Sequence, residues 1–60
     1  MNEDLAKHIL KDAIQKDNSL RNVSSYLFWT PKFPKEVTID GEFSIEYLKA
    51  IIWWAENKVE

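Results

Sequence analysis

The chain has sixty residues, no cysteine, one histidine and a formal net charge of −2. These numbers exclude a disulfide scaffold and a zinc site built from the usual Cys and His ligand sets. With 45% apolar residues and eight aromatics, an intrinsically disordered chain is excluded too.

The length fits a single small domain (1–60), which buries only about 60% of the surface its unfolded chain exposes. Packing, regular helices or self-association must supply its stability. Charges recur every few positions over the first fourteen residues, so no signal-peptide core is expected there. No apolar run approaches the ~18 residues of a membrane span. These features, with the lack of cysteine, predict a cytoplasmic protein with no membrane partner.

In chain order, Leu5, Ile9, Ala13 and Ala6, Leu10, Ile14 follow the i, i+4 spacing of a one-sided helix. Asn2 or Asp4 can cap its start, and Glu3 and Asp4 suit the positive pole of the helix dipole. Asp17, Asn18 and Ser19 compete for backbone hydrogen bonds and should end it. The spacing therefore predicts a helix over about 3–17. From Ser19 to Thr30 the pattern fits a short helix with Leu20, Val23 and Leu27 on one face. It also fits a strand from Val23 to Trp29, rich in β-formers; the balance favours the helix slightly. Thr30-Pro31-Lys32-Phe33-Pro34 must be extended, because residues before proline avoid the helical region.

Glu36-Val37-Thr38-Ile39 alternates as a short strand, and Asp40-Gly41 is a favoured hairpin dipeptide. A short β-hairpin around Asp40-Gly41 is predicted, with Glu42-Phe43 as a stub of returning strand. Ser44 then caps a second amphipathic helix over about 45–57, with Glu46 in its first turn. Ile45, Leu48, Ile52, Ala55 and Val59 would line its buried face, with Ile51 beside them. The predicted fold is α+β and mainly helical; an all-α fold with a third short helix at about 19–28 is the alternative.

No residue set supports catalysis. Ser24 or Ser25 with His8 lacks an orienting group and an oxyanion hole. Asp40 and Glu42 flank a turn where water keeps both ionised. His8 and Asp12 provide only two metal ligands. One glycine cannot make a phosphate-cradling loop, and so small a chain is expected to struggle to enclose a ligand pocket of ~300 Å³. The expectation is a non-enzyme with no cofactor and no metal.

Contact with another molecule is the remaining reading. Trp53 and Trp54 are adjacent, and successive helical side chains diverge by about 100°, so both cannot enter one core. Trp53 falls among Glu46, Lys49, Glu56 and Asn57; Trp54 groups with Tyr47 and Ala50. Tryptophan and tyrosine concentrate at interface hot spots. Trp53, Trp54, Tyr47 and Trp29 are thus candidates for binding a protein partner, or a second copy in a homo-oligomer. The charge is also asymmetric: residues 5–35 carry +4 and residues 36–60 carry −4. Lys7, Lys11, Arg21, Lys32 and Lys35 would form the basic face of the alternative, a nucleic-acid-binding accessory protein. No family fingerprint is present. A very short, cysteine-free, aromatic-rich format is similar to that of small accessory proteins of phages or mobile elements. That likeness implies a small regulatory or interaction protein acting on a larger one.

Overall fold

In a computed structural model, residues 1–22, 26–29 and 37–58 are described, without the side chains of Phe28 and Trp29. Expectations resting on Val23, Ser24, Ser25, the 30–36 segment with Lys32 and Lys35, and Val59 lie outside the described residues. The described chain is α+β and mainly helical, with two α-helices and a three-stranded antiparallel sheet. None of its helices is long and apolar enough to cross a membrane.

Helix α1 spans Glu3–Leu10. Asn2 caps it: its side-chain oxygen accepts from the Leu5 N–H at 2.8 Å. The predicted extension to residue 17 does not form. Lys11 takes φ 45° and ψ −115°, one 3₁₀ turn follows over Lys11–Ala13, and Ile14 is extended. The cause lies further along the chain. Ile14 bridges antiparallel to Leu20, and the Gln15 N–H donates to the Ser19 carbonyl at 2.9 Å. Asp17 holds that reversal by accepting from both the N–H and the hydroxyl of Ser19, at 3.0 and 2.6 Å. Asn18 occupies the left-handed region with φ 68°, which asparagine tolerates better than most residues. The polar cluster does oppose the helix, and the pairing it sets up reaches back to Ile14.

Strands β1 (Leu20–Asn22), β2 (Tyr26–Trp29) and β3 (Thr38–Asp40) run in the order β1-β2-β3. The register sets Leu20 against Trp29 and Asn22 against Leu27. On the other side Leu27 faces Ile39 and Tyr26 faces Asp40. The helix expected within 19–28, and with it the all-α alternative, is therefore replaced by strands at 20–22 and 26–29. Strand β3 overlaps the predicted strand at Thr38 and Ile39 and takes in Asp40, which was expected in the turn; its partner is β2. No strand returns through Glu42 and Phe43, so Asp40-Gly41 closes no hairpin. Gly41 has φ 120°, a backbone region open to glycine alone, and there the chain leaves β3 towards the second helix.

Helix α2 spans Ile45–Asn57, as predicted. The Ser44 hydroxyl oxygen accepts from the Tyr47 N–H at 3.0 Å. Lys58, just beyond the helix, reaches Glu3 at 2.9 Å, so the two helices pack antiparallel. Among the described residues, the core comprises Ala6, Leu10 and Ala13 from the first segment, Leu20 and Leu27 from the sheet, and Ala50, Ile51 and Trp54 from α2. Leu5, Ile45 and Ile52, expected inside, are exposed.

Glu3 is also paired with Lys7 at 3.2 Å. Hydrogen bonds from Lys58 and Lys7 hold its carboxyl below the usual glutamate value. A carboxyl whose pKa is depressed by folding contributes stability above its unfolded pKa, and that contribution fades as pH falls through the lower folded value. Urea midpoints should therefore drop below about pH 4, and Lys58→Met should make that drop shallower. An equally steep acid limb in Lys58→Met would show that the pair has no part in it.

Candidate functional site

Helix α2 positions three of the four aromatic candidates, and it separates them. Trp54 is 1% exposed. Its indole N–H donates to the Asn18 carbonyl at 3.0 Å, and the Lys58 ammonium lies 5.6 Å from its ring centroid. It is a core residue tying α2 to the 15–19 reversal, and not a surface contact. Trp53 is half-buried against the core. Its ring centroid lies 6.3 Å from that of Trp54, with the planes 50° apart. Tyr47 is also half-buried; its ring stacks on Phe43 at 5.2 Å and its hydroxyl accepts from the Asn22 amide at 3.4 Å. Trp29 contributes its backbone to β2 opposite Leu20, and its side chain lies outside the described residues.

The open apolar surface of α2 belongs to other residues. Ile45 is 68% exposed and Ile52 is 58% exposed. Seven residues separate them, so they stand about two turns apart on one line. Leu48 and Ala55, both partly buried, complete the line. With Ile45 at heptad position a, Leu48 is d, Ile52 is a and Ala55 is d, the spacing of a coiled-coil seam. Ile51, one residue before Ile52, is 2% exposed. The helix thus has two apolar faces: Ala50, Ile51 and Trp54 pack within the chain, and the Ile45–Ile52 seam stands open. The sequence contained this seam, since it is the line that periodicity assigned to the core.

Among the basic candidates, Lys7 is paired with Glu3. Lys11 and Arg21 line a common cleft of about 390 Å³ with Ile9, Asp12, Asn22 and Tyr47. The cleft opens broadly to solvent. Lys32 and Lys35 lie outside the described residues. Among those described, no three His, Asp or Glu side chains gather as a metal site would require.

Comparison with protein-family models, curated proteins and solved structures gives no match.

Proposed function

We propose that this chain is a small non-catalytic interaction or regulatory protein of the cytoplasm, which binds another polypeptide through the open seam of α2. One observation carries the reading: Ile45 and Ile52 remain exposed on a helix that already has a fully buried face. An apolar line of this kind, at heptad spacing, is the chemistry by which an amphipathic helix engages a second helix or groove. Trp54, buried in the core, does not supply that surface.

The test is capture of a polypeptide partner by the tagged full chain and by its Ile52→Glu variant, with circular dichroism confirming the fold. The wild type should retain the partner and the variant should lose it. Equal retention by a folded variant would refute the seam as the contact. Binding of nucleic acid is the second reading, favoured by Lys11 and Arg21 sharing one cleft. Asp12 in the same wall and the engagement of Lys7 by Glu3 both weaken the attraction for phosphate that such binding rests on.

A further inference from the structure

The seam carries charges on one side, and their order identifies an occupant. Lys49 and Glu56 are seven residues apart, so both sit at heptad position e beside the isoleucines. Both are exposed, and neither forms an ion pair among the described residues. They have opposite sign, Lys49 towards the helix start and Glu56 towards its end. A two-fold axis perpendicular to the helix reverses direction and sets position e of one helix beside position e of the other. Such an axis near Ile52 brings Lys49 against the partner's Glu56, and Glu56 against the partner's Lys49. A parallel arrangement offers nothing similar: it directs position e towards position g, where Ile51 is buried and Lys58 is already held by Glu3.

We infer that the seam of α2 is a self-recognition surface, on which a second copy of this chain docks antiparallel about a two-fold axis. This rests on the reading of the seam as a contact and names its occupant. Ile52 packs against its own symmetry mate, flanked by two Lys49–Glu56 pairs. The contact is small. A helix of this length spans about 20 Å, and a standard interface takes about 800 Å² per partner, roughly a sixth of the 4508 Å² the chain exposes. Two turns of seam fall short of that area, so the contact belongs with the weak, reversible associations.

Sedimentation equilibrium of the full chain from 10 μM to 1 mM at low salt tests the inference. The wild type should pass from monomer to dimer, and Ile52→Glu should remain monomeric. Lys49→Glu alone and Glu56→Lys alone each turn two attractions into two repulsions and should weaken association about tenfold or more. An equimolar mixture of those two variants restores both pairs and should recover the dimer. Both positions are exposed, so folding does not confound the comparison, and the mixture controls for it. A wild type monomeric at 1 mM would overturn the inference, as would charge variants that associate like the wild type. If the wild type is monomeric and partner capture still depends on Ile52, self-recognition fails and the seam as a protein contact stands. Loss of both rejects both.

Discussion

Replacing Trp54 with alanine should unfold the protein or bring it close to unfolding. Truncating a buried tryptophan costs about 3–5 kcal/mol, and a chain of this length has a total stability of roughly 3–9 kcal/mol at the usual value per residue. Among the described residues Trp54 is the largest fully buried side chain, and it also donates to Asn18. The milder Trp54→Phe refills most of the space but leaves the Asn18 carbonyl without its donor. That change should cost about 1–3 kcal/mol on top of a smaller packing loss. Urea denaturation of the three proteins measures both steps. A loss below about 1 kcal/mol in Trp54→Ala would mean that the indole is not part of the core.

Ile51 and Ile52 should differ sharply although they are neighbours of the same type. Ile51→Ala opens a cavity in the core, and should cost about 2–5 kcal/mol. Ile52→Ala removes an exposed side chain and raises helix propensity, so at high dilution its effect should lie within about 0.5 kcal/mol. At concentrations where chains associate, Ile52→Ala should lower the denaturation midpoint relative to wild type, because association stabilises only the folded state. The concentration dependence separates the two roles: Ile51→Ala is destabilised at every dilution, and Ile52→Ala only where the partner is present.

Elements governed by neighbours in sequence were legible from it. Helix α2 begins where Ser44 can accept from Tyr47 and extends to Asn57 as its pattern demanded. The start of α1 was likewise readable from Asn2 and the acidic first turn. Elements fixed by distant pairing were not. The apolar spacing of Ala6, Leu10 and Ala13 continues past the point where α1 stops, since the bridge between Ile14 and Leu20 outweighs it. Strand β3 was recognisable, but its partner β2 comes from a segment whose pattern fitted helix and strand alike. The rotation of α2 was ambiguous for a related reason. Its sequence supports two apolar faces, and the heptad line of Ile45, Leu48, Ile52 and Ala55 matches the template for a buried stripe. The core instead took Trp54, a large side chain that finds a carbonyl on the 15–19 reversal. The indole conflict was legible as a conflict. One ring is buried and the other pushed to the flank, while the vacant surface falls to Ile45 and Ile52, which face away from the core.

The account depends on α2 facing inward through Ile51 and Trp54 and outward through Ile45 and Ile52. Methyl-labelled isoleucine spectra, recorded on dilute protein with a soluble paramagnetic agent, measure that directly. The Ile45 and Ile52 methyl signals should broaden strongly, and the Ile51 signal should be spared. A spared Ile52 with a broadened Ile51 would place the seam in the core and remove the surface on which the proposed contact is built.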